Sequence, residues 1–298
     1  MLELVFVILI LGIVASIGSQ IIVQVYESYI TQRALYRSST KTELAATQLA
    51  NRLAYSIPGT IIGRQDDNIT FRAIENIPIG STTYKTLEWI SADADSFGAI
   101  TATTNLGRRP VWSGYCDVDA STLDSLSTPG SRLSKLSAII NNLSPTTKGI
   151  GNTAVLFPST YTARTVGFAG TGSNNSDIHP VSGATTDENL TLATRGVGVG
   201  RTIKEHYKLA WSSYALKPIN PHVMPGTTGT VFDLQLWYDY QPWNGESYTN
   251  GNSVILIRNV SVFRFTGSGN TVRFKICQRE NIGEGITTNT CKEKAVIR

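Results

Sequence analysis

Leu4-Val5-Phe6-Val7-Ile8-Leu9-Ile10-Leu11 is unbroken apolar sequence, and no charged residue follows it before Glu27. As a helix, residues 4–26 would rise about 35 Å at ~1.5 Å per residue, enough to cross a hydrocarbon core of about 30 Å. A cleaved secretory signal would place a basic segment before the run and a small-residue cleavage site after it. Here helical sequence simply continues, so a retained membrane-spanning helix is expected.

That continuation runs through Arg33, Arg37, Lys41, Leu44, Leu49 and Leu53 to Ile57, where Pro58-Gly59 is expected to stop it. Leu49, Leu53 and Ile57 recur at four-residue spacing and mark an apolar stripe, with Arg33, Arg37, Lys41 and Arg52 among the polar positions. Residues 1–57 therefore read as one rod about 85 Å long, its first half apolar and its second half amphipathic. Gly12 and Gly18 are its weak points, each costing about 1 kcal/mol relative to alanine in a helix interior. Glu3 heads the rod. A carboxylate at the edge of an apolar span sits either among headgroups with water or against a cation, and an intramembrane acid is a functional candidate by default.

Residues 58–298 change to short β-like runs broken by turns: 69–74, 84–90, 110–116, 153–157, 206–216, 231–240, 253–257, 260–266 and 271–277. The alternation in Val260-Ser261-Val262-Phe263-Arg264-Phe265 and in Val272-Arg273-Phe274-Lys275-Ile276, around Gly267-Ser268-Gly269-Asn270, predicts a hairpin with one buried face. A short helix is predicted over 131–143, with Leu133, Leu136, Ile140 and Leu143 on one stripe. The Gly/Ser/Thr/Asn-rich stretch 169–200 reads as a long loop or junction. The fold class is α+β: a long N-terminal helix, transmembrane then amphipathic, packed on an antiparallel β-sheet head.

Charge and composition narrow the function. The 26 basic and 22 acidic residues, net +4, are scattered, which gives no concentrated positive surface for nucleic acid. Only 16% of residues are charged, and Ser, Thr, Asn and Gly abound, a profile suited to a loop-rich extracytoplasmic protein. Cys277 and Cys291 flank a polar segment with Gly283 and Gly285 that can turn back on itself. A bridge there would close a loop of about 15 residues and stabilise by roughly 3 kcal/mol in an oxidising compartment. Cys116 is left over, either a buried free thiol or an exchangeable bridge partner.

Enzyme chemistry is not expected, and no cofactor is called for. His179, His206 and His222 lack metal-ligand spacing, so no metal site is assigned. Gly196-Val197-Gly198-Val199-Gly200-Arg201-Thr202 lacks the Gly-Lys-Ser/Thr ending of a phosphate loop and reads as a turn. Asp93 and Asp95, with Ser91 and Ser96, offer alternating oxygen ligands for calcium but too few of them, and a solvated turn is favoured. Asn68 in Asp66-Asp67-Asn68-Ile69-Thr70 and Asn189 in Asp187-Glu188-Asn189-Leu190-Thr191 are candidate glycosylation acceptors.

The segment Met1-Leu2-Glu3-Leu4-Val5-Phe6-Val7-Ile8-Leu9-Ile10-Leu11-Gly12-Ile13 resembles the N-terminus of type IV pilins and type II secretion pseudopilins. Glu3 and Gly12 keep the family's spacing of glutamate and glycine in an apolar helix. Segments 207–216 and 240–246 and the ending from Cys291 are similar to pilin-like proteins of the Campylobacterota. The leading Phe-Thr pair and the basic leader of the family are absent, so processing and N-methylation are implied by resemblance alone. Gln20 stands where many major pilins carry proline, which points to a minor subunit. The resemblance implies a structural subunit of a pilus or pseudopilus, polymerising with itself or other pilins through N-terminal helices. It also implies residence in a bacterial inner membrane, with assembly machinery as partner, before passage into an extracellular or periplasmic filament. Glu3 would select the axial register by pairing with a neighbour's N-terminal amine. Arg33, Arg37 and Lys41 alone would place the head in the cytoplasm; the expected bridge and the family's basic leader place it outside. The alternative is a non-polymerising, membrane-anchored binding or adhesion protein using Trp237, Trp243 and Tyr248.

Overall fold

A computed structural model describes residues 2–103, 107–158, 166–169, 177–194, 202–283 and 286–297. The first 53 of these form one helix, α1 (Leu2–Ala54), about 80 Å long at ~1.5 Å per residue. It ends before the expected Ile57. The Ser56 N–H and hydroxyl both donate to the Leu53 carbonyl, at 3.0 and 2.5 Å, and the Ile57 N–H turns away to the Ile90 carbonyl at 2.9 Å. A strand partner therefore draws the chain out of the helix before Pro58 is reached.

The head opens with β1 (Ile62–Arg64), β2 (Phe71–Ala73), β3 (Thr86–Ile90), α2 (Ala94–Gly98), β4 (Ile100–Thr103) and β5 (Gly107–Pro110). Then come β6 (Ser125–Ser127), α3 (Leu133–Leu143), β7 (Ala154–Leu156), β8 (His179–Thr186), β9 (Asn189–Leu192) and β10 (Lys208–Ala210). The last five strands are β11 (Ser213–Val223), β12 (Thr230–Tyr240), β13 (Asn252–Ser268), β14 (Thr271–Gly283) and β15 (Ile286–Ile297). Eight strands make one antiparallel sheet in the order β15-β14-β13-β12-β11-β3-β1-β2, five make a second in the order β10-β7-β8-β9-β6, and β4-β5 is a separate ribbon.

The second half of α1 lies on β13, β14 and β15. Its buried stripe is Ser38, Thr42, Ala45, Ala46, Leu49 and Leu53, spaced three and four apart. The small side chains at the start of the stripe let the helix approach the sheet closely. Leu49 and Leu53 then fill a core with Trp89, Leu234, Phe263 and Phe274. Ile57 was expected as the third member of that stripe. It instead joins Ile62, Ile90, Leu156 and Trp243 in a layer that knits the two sheets together. On the second sheet, α3 buries Leu133, Leu136 and Ile140 against Trp112, Val155 and Leu190, whereas Leu143 faces outward.

Several expected boundaries move. The predicted strands over 253–257 and 260–266 are one strand, β13, bulged at Asn259 (φ 58°), whose N–H donates to buried Asp233 Oδ1 at 3.2 Å. The predicted strand over 206–216 splits at Trp211-Ser212, so that β10 pairs in the second sheet and β11 in the first. Beyond Pro110 the segment expected as a strand to Cys116 bends at Gly114 (φ 71°) and makes a single bridge, Tyr115 to His206. The stretch 169–200, expected as a loop, carries the β8-β9 hairpin; its residues 170–176 and 195–200, the glycine-rich run among them, lie outside the described residues. The predicted hairpin at 260–276 is present, with Ser268 paired to Thr271.

Candidate functional site

The apolar half of α1 is exposed on every side. From Leu4 to Tyr26 its large apolar side chains range from 46% exposed at Ile10 to 71% at Ile22, so none is buried by the head. Each such side chain gains about 1.5–3 kcal/mol on leaving water. The run as a whole therefore leaves tens of kcal/mol unrealised in the isolated chain. A helix apolar all round is one that must be surrounded. This helix is long and apolar enough to cross a membrane.

Glu3 lies exposed in the first turn of α1, where the unpaired N–H groups favour a carboxylate. At about 100° per residue, Glu3 and Gly12 sit on opposite faces of the rod and Gly18 about 60° from Glu3. The three belong to one helix but to no single stripe. Apart from the helix's own backbone and the adjoining residues, nothing among the described residues lies within 4 Å of where a Cβ would stand at Gly12 or Gly18. The head makes no use of either notch.

At the other end of α1 the helix is clasped to the sheet by charge. Lys294 Nζ donates to Glu43 Oε1 at 2.6 Å and to Thr47 Oγ1 at 3.1 Å, and Lys292 Nζ stands 3.4 Å from Glu43 Oε2. The Lys294 hydrogen bond, aided by Lys292, holds the Glu43 carboxyl below its ordinary range. Arg52 lies over the ring of Tyr214 at 5.1 Å, and Lys41 stands 3.9 Å from Glu280.

Cys277 and Cys291 are brought together: they face each other across β14 and β15 and form a disulfide. Cys116 is a buried free thiol whose pKa burial pushes up. Asp93 and Asp95 do not converge. Asp93 is buried, its Oδ1 accepts the Ser96 N–H at 3.0 Å as the cap of α2, and burial raises its pKa, while Asp95 faces solvent. Among the described residues no group of three or more His, Cys, Asp or Glu could hold a metal ion. Asn68 is half-buried in a turn at φ 59°, its carbonyl accepting from Arg64 Nη1 at 3.1 Å; Asn189 opens β9 with its amide donating to Thr186 Oγ1 at 3.1 Å. Of the three aromatics expected to be exposed, Trp243 (5%) and Tyr248 (2%) are buried, and Trp237 is half-buried with its ring against Tyr248. Trp243 belongs to the layer between the sheets, which is why it is not offered to a ligand.

Two polar networks inside the head were not anticipated. Arg64 Nε pairs with Glu88 Oε2 at 2.8 Å with both side chains buried, and Tyr240 Oη donates to Glu88 Oε1 at 2.9 Å. Asp239, also buried, accepts from Ser144 Oγ at 2.9 Å, Thr146 Oγ1 at 2.7 Å and Asn252 Nδ2 at 3.3 Å, tying β12 to the end of α3. A cavity of about 430 Å³ opens beside Arg64, Glu88, Phe71 and Phe168, but its ionic groups are held by one another and by the fold. No local pattern announces partners separated by 24 and 152 positions.

No protein-family model matches the chain, and neither a curated protein nor a solved structure matches it.

Proposed function

We propose that the chain is a non-enzymatic structural subunit of a pilus-type or pseudopilus-type filament, minor rather than major, held in a bacterial inner membrane before assembly. The observation that carries it is the apolar first half of α1, exposed along its length, continuous with a second half that is built into the core of the head. Such a rod needs a sheath. Lipid supplies one, and so do the helices of neighbouring subunits.

The features of the rod favour neighbours over lipid alone. Glycines inside a helix cost about 1 kcal/mol each relative to alanine, and among the described residues no neighbouring element packs close to Gly12 or Gly18. Small residues recur where helices approach closely in apolar surroundings. Glu3 and Gly12 on opposite faces match a helix contacted from several sides. A carboxylate among packed helices is tolerable when a cation meets it, and the N-terminal amine of a neighbour is such a cation. The resemblance of residues 1–13 to the pilin N-terminus adds to this reading. The rival, a solitary anchored binding protein, loses support from the burial of Trp243 and Tyr248.

The test is co-expression of tagged wild-type chain and Glu3→Ala in the native host, followed by shearing and mass spectrometry of surface filaments. Wild type is expected in the filament fraction at low stoichiometry, with Glu3→Ala retained in the membrane although its head resists protease equally. Wild type missing from every filament fraction would overturn the proposal.

A further inference from the structure

We infer that the face of β13, β14 and β15 turned away from α1 binds an acidic polysaccharide through Arg264, Arg273 and Lys275; this goes beyond the filament reading and does not rest on it. Basic residues are scattered along the chain, and the register of the strands gathers these three. Phe263, Phe265, Val272, Phe274 and Ile276 lie in the core beneath α1. Successive side chains of a strand alternate between faces, so Arg264, Arg273 and Lys275 stand on the opposite side. Arg264 is paired directly with Lys275 across β13 and β14, and Arg273 with Thr266, two residues beyond Arg264. Arg273 and Lys275 are exposed and Arg264 is half-buried.

Like charges directly opposite one another on neighbouring strands, with Cβ atoms ~4.5–5.5 Å apart, are destabilising. The third charge, Arg273, follows about 7 Å from Lys275 along β14. Among the described residues none of the three enters an ion pair. Arg264 Nη1 donates to the Phe263 carbonyl of its own strand at 2.9 Å, and Glu293, opposite Lys275 on β15, is not joined to it. Arg279, further along β14, is laid against Gly229 and stands apart from the patch. An anion shared by Arg264, Arg273 and Lys275 relieves a repulsion that the chain leaves in place.

The residues between the charges select the partner. Thr266 and Ala295 flank Arg273, and Val262 with the Cys277–Cys291 bridge forms the next row beyond Lys275. These side chains are small, whereas a protein interface is centred on large anchors seated in pockets. No aromatic ring stands among them to stack a single-stranded base, and three cations are few for a duplex. A polysaccharide needs neither rings nor a long basic track. Glu293, an acceptor only, can take sugar hydroxyls beside the cations, while it repels a phosphodiester or polyglutamate chain.

The experiment titrates the full-length chain, held in uncharged detergent micelles, with dextran sulfate at an ionic strength of about 0.15 M. Arg273→Gln with Lys275→Gln strips two charges from the face. Arg72→Gln with Lys135→Gln removes two exposed charges elsewhere and matches the change in net charge. Wild type is expected to bind dextran sulfate and not neutral dextran. The face variant should lose about tenfold in affinity, the worth of two exposed ion contacts, and the matched variant should keep wild-type affinity. The urea midpoint of the face variant should equal or exceed that of wild type, because a like-charge pair has been removed. Wild type that ignores dextran sulfate, equal binding of neutral dextran, or equal losses in the two variants overturns the inference. A lower midpoint in the face variant overturns the repulsion on which it stands. Tighter binding of duplex DNA or polyglutamate than of dextran sulfate assigns another partner and also overturns it.

Discussion

Leu53→Ala and Leu44→Ala are the same chemical change on the same helix, yet the structure assigns them opposite consequences. Leu53 is fully buried beneath α1, in a core with Trp89, Leu234 and Phe274, while Leu44 is 59% exposed on the same helix. Helix propensity barely separates leucine from alanine, so it cancels between the two variants. Removing a buried leucine side chain costs its transfer free energy plus the cavity left behind, about 2–5 kcal/mol. The exposed change should stay within about 0.5 kcal/mol. A loss of about 3 kcal/mol is on the order of a hundredfold in the folded-to-unfolded ratio. With a urea dependence of roughly 3 kcal/mol per molar for a head of this size, it moves the midpoint down by about 1 M. The assay is urea unfolding of the full chain in detergent micelles, followed by tryptophan fluorescence, because Trp89 lies in the affected core. Equal midpoints for the two variants, or a Leu53→Ala midpoint indistinguishable from wild type, would refute the claim that the second half of α1 is part of the head.

Arg64→Met should destabilise by about 3–5 kcal/mol, since it strands the Glu88 carboxylate in a buried site, and Tyr240→Phe by a smaller ~1–3 kcal/mol; urea midpoints rank the two. The Glu43 carboxyl is held below its unfolded value by Lys294 and Lys292, so its stabilisation is complete above the unfolded pKa and is lost as pH falls through the folded one. Glu43→Gln should therefore lose stability at pH 7 relative to wild type, with the gap closing on acidification; a constant gap would count against the clasp. Replacing Cys277 and Cys291 together by serine should cost about 3 kcal/mol in the loop-entropy account, read as a lower midpoint. In the oxidised folded protein, Cys116 should resist iodoacetamide until denaturant is added, because its thiol is buried and its pKa raised.

What could be read from the chain alone was whatever a periodic pattern carries. The Leu49 and Leu53 stripe, the α3 stripe and the hairpin at 260–276 repeat at 3.6 or 2 residues, the first half of α1 is unbroken apolar sequence, and each is found. The strand β15 escaped notice because Thr287, Thr288, Asn289, Lys292, Glu293 and Lys294 give it no apolar face: one side carries the clasp to Glu43 and the other meets solvent. β8 and β9 were hidden in a Gly/Thr-rich stretch because β8 buries only two of its eight residues and the alternation in β9 lasts four residues, too short to stand out. The break at Trp211-Ser212 is invisible locally because both halves are good strand sequence, and only the existence of two sheets requires them to part. Glu3, Gly12 and Gly18, proposed above for assembly, were legible as anomalies, a charge and two glycines where leucine or alanine would serve the helix better. The Arg64–Glu88 pair was not, because neither residue is unusual until the fold buries it.

The two margins of the eight-stranded sheet are very unequal. At one end β2 presents three residues, too short to template anything; at the other β15 presents a twelve-residue border with unclaimed backbone groups among the described residues. A long bare border of that kind invites amyloid-like stacking, and Lys292, Glu293 and Lys294 sit where they act as gatekeepers against it. Both of those lysines are paired with Glu43, so neutralising that one helix residue would leave their charge uncompensated along the border, and fibrillation should slow in response to a change made on a different element altogether.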